Sequence, residues 1–199
     1  MNRLRWIGLT LLGLLGLTVV AVLVPLRRVE GSDMAWTLQP GEHVWIVPDR
    51  VRKADVVAVI DPLDPARVVL RRAVAAAGES VSWEDATLRI NGKRVRQSDM
   101  GNVAGWKVVE ETIWSRPPAR ANKFLPRFQP SLRAPWKQPG KVTVPEGHWY
   151  LLADSRDGAL DSRFWGPVPE SAIEGVARAW VGAADTWRPS RFALLLPEE

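Results

Sequence analysis

The apolar positions of this chain fall into one long block and several short ones. Trp6 to Val24 runs for nineteen residues without a charge, interrupted only by two Thr and three Gly. As a helix it would measure about 29 Å, close to one hydrocarbon core. Beyond it the runs are short. His43–Val47 alternates like a strand, and Lys53–Ile60 forms another that Asp61-Pro62 turns off. Leu88–Val95 holds Asn91-Gly92 at its centre, the pair that supplies both positive-φ positions of a type I′ hairpin turn. Lys141–Leu152 returns to strand, with His148–Leu152 apolar enough to be buried, and Ala172–Val181 supplies a last strand. Arg67–Val81 reads RVVLRRAVAAAGESV, and its alanine run taken alone would suit a short helix. From about Gln97 to Gly140 the periodicity is lost. Residues 112–140 hold six prolines, six basic residues and no acid, with Trp114, Phe124, Phe128 and Trp136 interspersed. That composition predicts an irregular Pro-rich insertion, either solvated or touching anionic lipid headgroups or a partner. No internal repeat is visible, and Phe192–Glu199 carries no pattern.

At 199 residues the chain is long enough for one anchored domain of ordinary size. The absence of cysteine excludes disulfides and thiolate metal sites. A net charge of +5 invites a nucleic-acid reading, which the distribution argues against. Four arginines and no acid lie in residues 1–28, leaving 23 basic against 22 acidic residues in a nearly neutral body. Eleven tryptophans against one tyrosine favour a surface that skims a membrane interface, beside those that simply fill a core. Val22-Leu23-Val24-Pro25-Leu26 offers no small-x-small cleavage site, so 6–24 reads as an uncleaved anchor. Arg3 and Arg5 face Arg27 and Arg28 across it, and the positive-inside rule barely chooses an orientation.

The densest chemistry follows the His148–Leu152 strand. Asp154, Arg156, Asp157, Asp161 and Arg163 fall within ten residues, and Trp165-Gly166-Pro167 then turns the chain away. Unpaired beside a core these charges would be costly, so ion pairing among them is expected. Asp154, Asp157 and Asp161 lack EF-hand spacing, and no metal site is expected. The run Ala153-Asp154-Ser155-Arg156-Asp157-Gly158-Ala159-Leu160-Asp161-Ser162-Arg163-Phe164-Trp165-Gly166-Pro167-Val168 resembles the signature loop of the signal peptidase I (leader peptidase) family, roughly G-D-N-R-D-N-S-x-D-S-R-x-W-G-P-V. Ala153, Ser155, Gly158 and Ala159 depart from it. Upstream, Gly31-Ser32-Asp33-Met34-Ala35-Trp36-Thr37-Leu38 resembles the family's nucleophile box G-x-S-M-x-P-T-L. Gly31, Met34, Thr37, Leu38 and the following Gly41 match; the nucleophilic serine falls on Asp33 and the proline on Trp36. The family's general-base lysine, in a run like Y-I-K-R-V-x-G-L-P-G-D, falls on Arg71, with Arg72, Val74 and Gly78 matching and Glu79 in place of Asp.

The resemblance implies a mainly β fold: a signal-peptidase-like coiled β-sheet domain on one N-terminal transmembrane helix. Residues 1–28 would form the anchor, 29–96 and 141–185 the β core, 97–140 a cap, and 186–199 a tail. It places the protein in the inner (plasma) membrane, single-pass, with the body on the extracytoplasmic side. Its partners would be membrane lipid and the signal peptides of exported proteins or a membrane protein, with no cofactor and no nucleic acid.

Signal peptidase I enzymes are Ser–Lys proteases in which a neutral lysine takes the serine proton and a second serine orients the lysine. None of the three positions carries its residue here. Asp33 is a weak attacker whose product would be an anhydride. Arg71 cannot act as the base, because a guanidinium keeps its proton. Ala159, at the orienting position, has no hydroxyl. Met34, Arg72, Asp154, Arg156, Asp161 and Arg163, the expected structural support of the site, remain. Asp33 and Arg71 would instead form a charge-assisted pair. The preferred expectation is a non-catalytic family member that binds exported polypeptides or a membrane partner. The alternative is an active peptidase rearranged around Ser32, whose side chain would point to the opposite face of an extended backbone, with Asp33 the only adjacent base and His43 and His148 remote ones. A structural subunit beside a true signal peptidase is a third reading.

Overall fold

The computed structural model describes residues 26–181 except 36, 85, 86, 104, 116–119, 125 and 129–139. The 6–24 segment, Trp36 and the tail lie outside the described residues, as does Trp136. Among the described residues no helix is long and apolar enough to cross a membrane.

Most of the described chain is strand. A seven-stranded antiparallel sheet runs in the order β1 (Leu26–Arg28), β2 (His43–Val47), β15 (Ile173–Val181), β3 (Val56–Asp61), β4 (Asp64–Ala76), β13 (His148–Leu152), β14 (Val168–Pro169). In β2 the alternation buries Val44 and Ile46. β3 is apolar at every position from Val56 to Val59 because it is central and covered on both faces. Val56 and Ala58 join one core with Val44, Ile46 and Met34, while Val57 and Val59 join another with Val69, Leu151 and Val168. Successive side chains of one strand thus feed two cores.

A second sheet consists of β12 (Val142–Thr143), β5 (Ser80–Glu84), β6 (Thr87–Ile90) and β7 (Lys93–Arg94). Its hairpin turns at Asn91 and Gly92 with φ of 52° and 73°, the mirror-image turn that Asn-Gly favours. A third core of Val74, Val81, Leu88, Ile113, Tyr150 and Leu152 joins this sheet to the first. Lys141–Leu152 is two strands rather than one, parted by a turn at Gly147 with φ 68°.

The family resemblance already sets aside a helix for the alanine run, and the expectation for the insertion needs correction. The alanine run continues β4 through Ala76, since Ala75 and Ala76 pair with Tyr150 and Trp149; an extended neighbour on the sheet decides what local helix propensity would not. Over its described residues the insertion is mostly strand rather than irregular. Arg96–Val103 (β8) and Trp106–Ser115 (β9) form a long hairpin, and Arg120–Phe124 (β10) and Arg127–Phe128 (β11) line the other edge of β9. Glu110 and Glu111 hid β9 from the hydropathy pattern, and Glu111 is buried only because it is paired (below).

Candidate active site

The nucleophile-box segment leaves β1 and turns back toward β2 through Gly31 (φ 70°) and Gly41 (φ 88°). Met34 and Leu38 are drawn into the first core, which anchors the turn that carries Asp33. Arg71 stands on β4 opposite Val57. The two side chains meet: Arg71 Nη2 donates to Asp33 Oδ2 at 2.9 Å. The guanidinium is otherwise consumed by backbone. Nε and Nη2 donate to Leu160 O at 2.9 and 2.7 Å, and Nη1 to Leu70 O at 2.6 Å. The Trp165 ring lies 5.4 Å from its Cζ. Arg71 is only 3% exposed on its side chain and Asp33 27%, so the carboxylate is the part of the pair presented to solvent. Ala159 is buried next to the carbonyl that Arg71 holds. Ser32 is exposed, and its carbonyl accepts the Ala35 N–H at 3.0 Å. His43 is exposed on β2, and His148 turns Nδ1 to the Glu146 carbonyl at 2.8 Å.

Behind this pair Asp161 and Arg163 pair within the loop as expected, whereas Asp154 and Arg156 pair with residues outside it. Arg72 grips Asp154 with two bonds, Nε–Oδ1 at 2.8 Å and Nη2–Oδ2 at 2.5 Å, and donates to Ala54 O. The Thr37 hydroxyl donates to the same carboxylate. Asp161 caps the short helix α1 (Ser162–Trp165) by accepting from Arg163 N–H, and takes Arg163 Nε and Nη2 at 2.8 and 2.7 Å. Oδ2, which takes Nη2, also accepts the Ala153 N–H at 3.0 Å. Asp154, Arg156 and Asp161 are each at most 1% exposed, where an uncompensated charge could not stay. Sequence reasoning missed Glu111, which pairs with Arg156, and Trp83, which lies within 6 Å of the guanidinium carbons of both Arg156 and Arg163. Tyr150 lies in the core shared with Trp83, and burial, reinforced by the Asp161 charge, pushes its hydroxyl well above the ordinary tyrosine range. No group of side chains suited to a metal occurs among the described residues.

In front of the pair lies a cleft of about 380 Å³ bordered by Leu26, Arg28, Asp33, Met34, Val68 and Arg71. β1 and β4 are four places apart in the sheet, so the sheet must coil to bring both to one cleft. Among the described residues backbone pairing leaves an open strand edge on each side, save the Leu70 carbonyl that Arg71 takes. Val29 N–H donates to Glu42 O, so by alternation Arg27 also faces β2, and Leu26 and Arg28 face away. Ala73 N–H donates to Asp55 O on the β3 side, so Arg71 and Val69 face β3, and Val68 and Leu70 face the other way. β13 covers that second edge only from Arg72 onward.

A family model described as "Signal peptidase, peptidase S26" matches residues 3–181. The chain belongs to this family. It is 28% identical over 142 residues to signal peptidase I of Pseudomonas fluorescens, covering 64% of this chain and 48% of that one. To signal peptidase I T of Bacillus subtilis it is 26% identical over 156 residues, 75% of this chain and 69% of that one. A solved signal peptidase I from Enterococcus faecalis aligns with a TM-score of 0.42 at 25% identity, covering 65% of this chain and 98% of that one. The chain thus spans about half the length of the first of these relatives.

Proposed function

We propose that this signal peptidase family member is a membrane-anchored, non-catalytic protein that holds extended exported polypeptide in the cleft between β1 and β4. One observation carries the reading: an Arg71–Asp33 ion pair occupies the positions where the family resemblance expects base and nucleophile. Peptide-bond attack through a neutral amine needs a group that can surrender its proton, and a guanidinium does not. The two strand edges left open among the described residues support retention of the ligand, because an extended chain adds to such edges through main-chain hydrogen bonds without any chemistry. In this reading residues 6–24 are the uncleaved anchor and the body faces outward from the inner membrane, where exported chains emerge. Ser32, the alternative nucleophile, is absent from the residues that border the cleft, whereas Asp33 and Arg71 both border it.

The test pairs two assays on the purified full-length chain. A preprotein carrying a signal peptide should survive incubation uncut, while the isolated signal peptide should bind with measurable affinity. Cleavage that is abolished by Ser32→Ala would establish the alternative, an active peptidase built on Ser32. Neither cleavage nor binding would remove the peptide-holding reading.

A further inference from the structure

Beside the Ile113 side chain that β9 buries in the third core, the inserted sheet reaches the loop after β13 through a buried ion pair. Glu111, in β9, is fully buried and accepts Arg156 Nη2 at 2.6 Å on Oε2 and Nη1 at 3.3 Å on Oε1. Gln97, on the paired strand β8, donates its side-chain amide to Oε1 at 2.8 Å. Both strands of the hairpin therefore converge on Arg156. That arginine in turn donates Nε to Ala153 O at 3.0 Å and lies over Trp83 of β5.

Its place in the loop matters. One residue before Arg156, the Ser155 N–H donates to Asp33 O at 2.8 Å. Four residues after it, Leu160 O accepts both Nε and Nη2 of Arg71. The loop thus touches the two halves of the central ion pair at points that flank Arg156. Side-chain exposures of 1% for Arg156 and 0% for Glu111 leave no water to substitute for the carboxylate. Losing it would strand a buried guanidinium, and the loop would have to move to hydrate it.

We propose that Glu111 is a positioning residue: the inserted sheet fixes the loop 153–161, and through it the Asp33–Arg71 pair, by this buried ion pair. The insertion is then a working part of the site rather than a cover over it. This does not depend on whether the cleft holds peptide or cleaves it.

Hydrogen exchange of the full-length chain, read by mass spectrometry, separates positioning from general stability. In Glu111→Gln, segments 30–38 and 153–161 should exchange about ten-fold faster or more. The central strands 43–47, 56–60 and 173–177 serve as internal reference and should not change. Glu111→Asp should restore part of the protection. If Glu111→Gln does not fold, Gln97→Ala decides instead, with a smaller rise confined to the same two segments. A rise spread evenly over site and reference strands would make the contact merely structural, and no rise in the site segments would break the link. Either result overturns the proposal.

Discussion

At the scale of single residues, the Arg71–Asp33 pair has a measurable energetic signature. Removing Arg71 leaves the Leu160 and Leu70 carbonyls and the Asp33 carboxylate without their donor. Breaking a buried pair costs roughly 3–5 kcal/mol, and the partial exposure of Asp33 puts this one near the lower end. Arg71→Ala should therefore destabilise the domain by about 3 kcal/mol in urea unfolding. Arg67→Ala, on the exposed part of the same strand, should stay within about 0.5 kcal/mol of the parent. Equal losses in the two variants would remove the energetic role of the pair. Tyr150, the only tyrosine, gives a second test. Its hydroxyl is held above the ordinary value of 10.0, first by burial and then by the Asp161 charge. The folded state thus keeps its proton where the unfolded state loses it. The associated stability is fully present below pH 10 and falls as pH rises beyond it, by up to about 1.4 kcal/mol per pH unit. Tyrosinate absorbance should appear only as the domain unfolds, and Tyr150→Phe should flatten that part of the stability curve. Tyrosinate that forms at its ordinary pH in the folded protein would contradict the buried placement. Asp33 and Arg71 were legible as a pair because both sit inside short motifs whose register is fixed by Met34 and Arg72. Glu111 was not, since its partner lies 45 positions away and nothing local marks it.

At the scale of elements, what could be read was whatever local pattern decides. The Asn91-Gly92 hairpin, β2 and the last strand β15 stand where alternation and turn chemistry put them. The start of β3 was read too early, because Ala54 adopts φ 72° and the Asp55 carboxylate accepts the Arg52 N–H to close a turn before Val56. The hairpin β8–β9 was invisible because its pairing is what satisfies its polar residues. Gly175 gives a prediction of its own. It lies in β15, where the register shifts against β3, and a Cβ built on it would sit 2.7 Å from Val47 O and 2.8 Å from Ile46 Cγ2. Val47 and Ile46 belong to the facing strand β2, so backbone rather than a flexible tip would have to yield. Gly175→Ala should cost about 1–3 kcal/mol, as overpacking does. Gly92→Ala at an exposed hairpin turn should cost less, about 1 kcal/mol, from its positive φ alone. A reversed order in thermal unfolding would show that the sheet is free to separate at Gly175.

At the scale of the molecule, the proposed reading sets an Asp33–Arg71 ion pair where the family resemblance expects the reacting groups. If that pair alone separates this chain from catalysis, the return should need coordinated change. Asp33→Ser by itself places a hydroxyl beside a guanidinium that cannot take its proton. Arg71→Lys by itself places an amine beside the Asp33 carboxylate, which favours the charged ammonium and holds the proton on it. Only Asp33→Ser with Arg71→Lys puts a hydroxyl next to an amine with no carboxylate partner, in a strand position that is 3% exposed and so penalises the charged form. Ala159→Ser would then add the hydroxyl that orients the amine. Residues that act as a unit are strongly non-additive. Preprotein cleavage should therefore be absent in the parent and in both single variants, appear in the double variant, and rise further in the triple. Cleavage by either single variant equal to that of the triple would show that the two positions do not act together. Cleavage by the unaltered chain that persists in Ser32→Ala would place the nucleophile elsewhere and end the argument from the Asp33–Arg71 pair.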